Sequence, residues 1–237
     1  MVGHRYISAA SILIATTVLA FASMSYQGQV YMEPVLLNTD LKVIYSDTSG
    51  NGRAGLAYWN VEQSLGPGDS AYLRRDVVDR QRCLGIHLFQ DGMNDQYVWA
   101  MVRVRQEVKT DKLTRLFNSR VQLSVYPTFP YVYDKTTKTP DTAFGLEISD
   151  GQHLLWMIFS DQKPDVFMID NHRIKVIEAK LNTWSTFEID IAKEYHEAGW
   201  DMPKVVYFAL ITGASRAMKG EFAGFFAQIT LLESSRS

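Results

Sequence analysis

From Leu41 to the C-terminus, apolar and polar residues alternate in short runs separated by turn residues, and a period of two predicts strands. The clearest run is "YVWAMVRVRQEV" (97–108). Val98, Ala100, Val102, Val104 and Val108 fall on one face, and Tyr97, Trp99, Met101, Arg103, Arg105 and Glu107 on the other. That separation predicts one face in a core and one in water. Further runs are "LKVIYS" (41–46), "GLAYWNVE" (55–62), "CLGIHLF" (83–89), "VQLSVY" (121–126), "AFGLEIS" (143–149) and "HLLWMIFS" (153–160). The last is apolar at both parities, which suits a central strand. Asp150-Gly151 lies between two such runs and Asn171-His172 between "DVFMID" and "RIKVIEA". Both read as hairpins, which imply antiparallel pairing rather than crossovers.

The stretch "WSTFEIDIAKEYHEAGW" (184–200) reads as a strand over 184–191 running into a short surface helix, with Gly199 as terminator and Pro203 beyond it. Glu194, His196 and Glu197 then form a solvated face. "HEAGW" begins like the His-Glu-x-x-His zinc signature, but Trp200 stands where the second histidine belongs, so no metal is expected there. "KVVYFALIT" and "GEFAGFFAQITLLE" (220–233) supply two more strands, with Gly224 marking a bulge or a close backbone contact. The pattern predicts an all-β, antiparallel β-sandwich over residues 41–233, behind a connector at 25–40.

Ahead of the connector, "MVGHRY" precedes the uncharged run "ISAASILIATTVLAFASM". Residues 1–24 read either as a signal peptide cleaved after Ala22 or as a retained signal-anchor helix that holds the membrane through residues 7–24. Both place the body outside the cytoplasm, secreted or membrane-anchored. With 24 Lys+Arg against 26 Asp+Glu and no run of one sign, nucleic acid is not an expected partner. The single cysteine, Cys83, allows no internal disulfide and reads as a small buried hydrophobe. The chain contains no Asn-x-Ser/Thr sequon, which together with the missing disulfides suits a prokaryotic envelope.

The hairpin around Asp170-Asn171, then "NTWSTFEIDI", a short helix, "PKVVYFALITG" and a glycine-containing last strand resemble the C-terminal half of jelly-roll carbohydrate-binding modules and of the concanavalin A-like lectin-glucanase superfamily. The resemblance covers about residues 165–233 and rests on pattern. It implies a jelly roll with a polysaccharide or envelope glycan on the concave sheet face or in the edge loops, and it keeps a structural calcium in view.

The polar strand faces gather His87, Tyr97, Trp99, Arg103, Arg105, Gln122, Tyr126 and Glu147, and these are expected to line one groove. Aromatic faces stack on sugar C–H surfaces and arginine forks pair with carboxylates, so the set suits an acidic or neutral polysaccharide. The plainer alternative puts Trp99 under a second layer and pairs the arginines with Glu107 and neighbouring acids. "YPTFPYVYDKTTKTPD" (126–141) adds Tyr131 as a further ligand contact, or as cover for one end of the sandwich. Asp47, Ser49 and Asn51 alternate ahead of Gly52 as calcium ligands do, although Tyr58 stands where an EF-hand needs glutamate. For catalysis, His87 and Glu147 are the candidate acid–base groups, without an identifiable second carboxylate. The resulting expectation is a non-catalytic, extracytoplasmic domain that binds glycan or another envelope component. The alternatives are a polysaccharide lyase or glycoside hydrolase on the same scaffold, and a structural subunit partnered with membrane proteins.

Overall fold

The computed structural model describes residues 59–66, 68–91, 99–109, 113, 116–133, 140–215 and 218–233. Alternating runs become strands there because each can turn one parity inward while its backbone pairs with neighbours. Seven strands form a large sheet in the order β1 (Asn60–Ser64), β4 (Trp99–Lys109), β11 (Val205–Ser215), β6 (Thr142–Ser149), β7 (Leu154–Ser160), β9 (His172–Glu178) and β8 (Asp165–Ile169). Five form a small sheet in the order β10 (Ser185–Asp190), β5 (Ser119–Pro127), β12 (Gly220–Glu233), β3 (Gln81–Gln90) and β2 (Ser70–Val78).

The two sheets stack into a sandwich. Ala100, Val102 and Val104 of β4, Phe208 and Leu210 of β11, and Leu146 and Ile148 of β6 meet Leu84, Ile86 and Leu88 of β3 and Leu123 and Val125 of β5 in one buried cluster. At Gly224 of β12 the ring of Phe144 from the facing sheet fills the space where any Cβ would stand. The expectation of a close backbone contact at Gly224 is met by that ring.

Two expectations, one about pairing and one about exposure, are corrected. The hairpins at Asp150-Gly151 and Asp170-Asn171 form, but β7 pairs with β9 in parallel. The chain leaves β7, runs to the sheet edge as the short and mostly exposed β8, and turns back between β7 and β8 as β9. The face of β4 expected to be wet is only partly so: Glu107 is exposed and Arg103 and Arg105 are half-buried, but Met101 is 3% exposed and joins Trp156, Ile158, Ile174, Val176, Ala209 and Ile211 in a second buried cluster on the outer side of the large sheet.

The helix expected after β10 is α1 (Ile191–Glu197), capped by Asp190, whose carboxylate accepts from the Lys193 amide at 2.9 Å. It ends as foreseen at Gly199, with φ +71°. Its face is not uniformly solvated, however. Glu194 lies three residues after Ile191 and next to Tyr195, which places all three inward, and it is buried between Arg173 (3.4 Å) and Lys175 of β9. Of the three residues expected on the solvated face, His196 and Glu197 remain exposed, Glu197 accepting from Arg173 at 2.9 Å.

Asp47, Ser49 and Asn51, the N-terminal hydrophobic segment and the connector lie outside the described residues. Among the described residues no helix is long and apolar enough to cross a membrane, and no group of three or more His, Cys, Asp or Glu is arranged to hold a metal ion.

Candidate functional site

Strand parity sets which side chains face outward, and sheet order sets which of them meet. On the outer face of the small sheet, rings from all five strand regions line up in one row. In spatial order these are Trp184, immediately before β10, then Tyr126 of β5, Phe225 of β12, His87 of β3 and Tyr72 of β2. Every neighbouring pair is in ring contact. Centroids lie 5.4 Å apart for Trp184–Tyr126, 5.9 Å for Tyr126–Phe225, 5.6 Å for Phe225–His87 and 4.5 Å for the stacked His87–Tyr72 pair. Four interstrand steps of about 4.8 Å give the row a length of about 19 Å.

The middle of the row is sunk and its ends reach water. His87 and Phe225 are buried, Tyr126 and Trp184 are half-buried, and Tyr72 and the neighbouring Phe89 are 44% and 51% exposed. Trp184 is fixed by its indole N–H, which donates to the carbonyl of Val78 at 3.0 Å. Asp76 Oδ2 lies 3.2 Å from His87 Nε2 and Glu221 Oε1 lies 3.1 Å from Nδ1. A singly protonated ring can donate to only one of these acids at a time. Asp76 reaches the imidazole by passing over Gly85, where any Cβ would collide with its carboxylate. The Tyr126 phenol is raised above its ordinary pKa, first by desolvation and then by the charge of Asp79. Cys83, below this face, is 3% exposed, and burial with Asp76 nearby pushes its thiol up to about 11. It behaves as the buried hydrophobe expected, not as a nucleophile.

The outer face of the large sheet is built differently. Arg103 of β4 reaches across β11, where the neighbouring Ala209 is small, and its Nε donates to both oxygens of Glu147 on β6 at 2.9 and 3.1 Å. The indole N–H of Trp156 on β7 donates to Glu147 Oε2 at 2.8 Å. Arg105 lies 3.6 Å over the ring of Tyr207 and pairs with Glu62 of β1. His172 of β9 meets Trp156 at 4.5 Å in an edge-on contact. Its Nε2 is buried without a hydrogen-bond partner among the described residues. Burial first, and the Arg103 charge second, push the imidazole down to about 3, so it is neutral.

The single groove expected from the sequence is therefore split between two faces. Arg103, Arg105 and Glu147 lie together on the large sheet, where the backbone of Trp99 also pairs, opposite Ser215. The Trp99 side chain and Tyr97 lie outside what is described. His87, Gln122 and Tyr126 lie on the opposite side of the molecule, with Gln122 half-buried beside Glu188 of β10. Tyr131 covers rather than protrudes: it is 3% exposed, its amide donates to Ser160 Oγ at 2.9 Å, and it stacks on Tyr133. Tyr72, Phe225 and Trp184 were missed. The run that holds Tyr72 was not read as a strand at all, and for Phe225 and Trp184, whose runs were, nothing local indicates that rings from distant strands become neighbours.

No protein-family model matches the chain, and no curated protein matches it. Among solved structures it is similar to carbohydrate-binding modules of the β-sandwich superfamily, with TM-score 0.41, 11% identity, and 75% of this chain covered against 58% of that one. The chain thus spans little more than half of that structure's length. It is also similar to the family 11 carbohydrate-binding module of a Clostridium thermocellum cellulosomal cellulase, with TM-score 0.39, 8% identity, and 75% and 88% coverage. A third likeness is the catalytic domain of Humicola grisea Cel12A, with TM-score 0.41, 8% identity, and 73% and 92% coverage. Likeness of this degree carries no argument about ligand or chemistry, which must come from the chain's own surfaces.

Proposed function

We propose that the protein is a glycan-binding β-sandwich that holds a polysaccharide along the outer face of its small sheet. The observation that carries this reading is the continuous row of rings from Trp184 to Tyr72, with one ring from each strand region and water at both ends. A row of that length offers two separated platforms, Tyr72 with Phe89 and Tyr126 with Trp184, for the C–H faces of sugars in an extended chain. Asp76 and Glu221 flank the row, and the half-exposed Glu221 offers acceptor oxygens to sugar hydroxyls. Three acids, Asp76, Asp79 and Glu221, stand around these rings, which favours a neutral glycan here over an anionic one.

The reading is of binding, not bond cleavage. Glycoside hydrolysis uses two carboxylates across one bond. On the large sheet, Glu147 has both oxygens engaged by Arg103 and Trp156, and Glu62 is engaged by Arg105. The export expected from residues 1–24 suits an envelope or extracellular glycan, and a calcium ion on Asp47, Ser49 and Asn51 belongs to the same proposal.

The test is affinity electrophoresis and calorimetry against a panel of neutral polysaccharides, with the wild type and the Tyr72→Ala, Tyr126→Ala double variant. The double variant is expected to lose at least about tenfold in affinity, as removal of two stacking faces should. Its melting temperature is expected to stay close to wild type, because both rings are partly exposed. Retention of no polysaccharide by the wild type, or equal binding by the variant, would sink the reading.

A further inference from the structure

Arg103 has a guanidinium with donors to spare. Only its Nε is used, and it serves both oxygens of Glu147. The four N–H groups of Nη1 and Nη2 have no acceptor among the described residues, although the side chain is only 15% exposed. That terminal edge keeps some contact with water rather than being sealed, and its planar fork matches a carboxylate in two parallel hydrogen bonds. Glu147 cannot supply them, because Arg103 approaches it through Nε and Trp156 occupies its other side. Glu147 therefore acts as an anchor that fixes the guanidinium plane and leaves the terminal edge open.

A second unspent group belongs to the same cluster. His172 Nε2 is buried without a partner, and the ring is held against Trp156, the residue that shares Glu147 with Arg103. Held neutral, it can donate one hydrogen bond without adding charge. Arg105 places a further cation on the same face, braced by Tyr207 and Glu62. Half-buried Leu154, Tyr207 and Ile169 flank the cluster with apolar surface of the kind that sugar rings contact.

We propose that the outer face of the large sheet is a second binding site, separate from the aromatic row, that takes the carboxylate of a uronic acid residue on the Nη edge of Arg103, with His172 Nε2 and the Trp156 ring beside it. The large-sheet face is not cationic as a whole, since Glu147, Glu62 and the exposed Glu107 share it with Arg103 and Arg105; what sets it apart is the Nη edge of Arg103, which has no acceptor among the described residues. Neither proposal depends on the other, since the residues sit on opposite sides of the sandwich.

The experiment titrates the full chain with an oligogalacturonate, with the same oligomer after reduction of its carboxyl groups, and with free galacturonate, by calorimetry and tryptophan fluorescence. The oligogalacturonate is expected to bind at least about tenfold tighter than its reduced counterpart, the difference one charge-assisted pair makes. Arg103→Lys, which keeps the charge and loses the fork, is expected to abolish that preference. His172→Gln should weaken it several-fold, and the Tyr72→Ala, Tyr126→Ala double variant should leave it unchanged. Equal affinity for the two oligomers in the wild type overturns the proposal, as does an undiminished preference in Arg103→Lys. Tighter binding of free galacturonate than of the oligomer would mean a small-carboxylate site and would overturn the polysaccharide assignment. Should Arg103→Lys melt well below the wild type, the wild-type comparison and His172→Gln decide by themselves.

Discussion

Burial and the guanidinium of Arg103 keep His172 uncharged down to about pH 3, and this makes stability depend on pH in one direction. A histidine in the unfolded chain takes up its proton near pH 6.5. Above that value both states are neutral and the residue contributes nothing to the pH dependence. Between about 6.5 and 3 the unfolded ensemble is protonated while the fold is not, so stability falls on acidification, by up to about 1.4 kcal/mol per pH unit. Wild type is therefore expected to lose about 1–2 kcal/mol more than His172→Gln between pH 7 and pH 5, read from urea midpoints. Parallel behaviour of the two proteins would refute the assignment. Little of this was legible locally. Cys83 was correctly read as buried from its residue type, but Glu194 was taken for a solvated residue because helix spacing alone does not reveal the two cations waiting on β9.

Strands were legible where both flanks carried turn residues, as at β6, β7, β8 and β9. Two things failed: β2 (Ser70–Val78) was not read as a strand, and the sense of one pairing was wrong, because a hairpin signal fixes how β8 meets β9 and says nothing about which of them lies next to β7. The β6–β7 pair has its own requirement. A Cβ on Gly145 would collide with the carbonyl of Met157 on β7, a backbone atom that cannot rotate aside. Gly145→Ala is expected to cost about 3 kcal/mol, at the upper end for overpacking. Gly151→Ala in the adjoining turn meets no atom within 4 Å and suffers only from its φ of +87°, so it should cost about 1 kcal/mol. Chemical denaturation of the two variants compares them, and equal losses would show that the strand contact is not as tight as drawn.

The two sheets of the sandwich meet tightly where the Phe144 ring lies against Gly224. Phe144 is 1% exposed and also meets Phe226 at 4.5 Å and Phe129 at 6.3 Å, so it has no free direction to move. Gly224→Ala is expected to destabilise by about 1–3 kcal/mol. Combined with Phe144→Leu it should cost less than the sum of the two single changes, since the smaller side chain admits the methyl. Additive losses in a double-mutant cycle would argue against direct contact.

Alternation along each run was enough to establish an all-β body and to say which residues of one strand share a face, because that relation is set by the local backbone pleat. Arg103 and Arg105 were thus placed together correctly, as were Gln122 and Tyr126. Which strands become neighbours was decided only in three dimensions, since pairing joins segments far apart in the chain and answers to the whole core. That is why His87 and Arg103, both outward on well-read strands, ended on opposite sides of the molecule, and why five rings from five separate stretches formed a row that no single stretch announced.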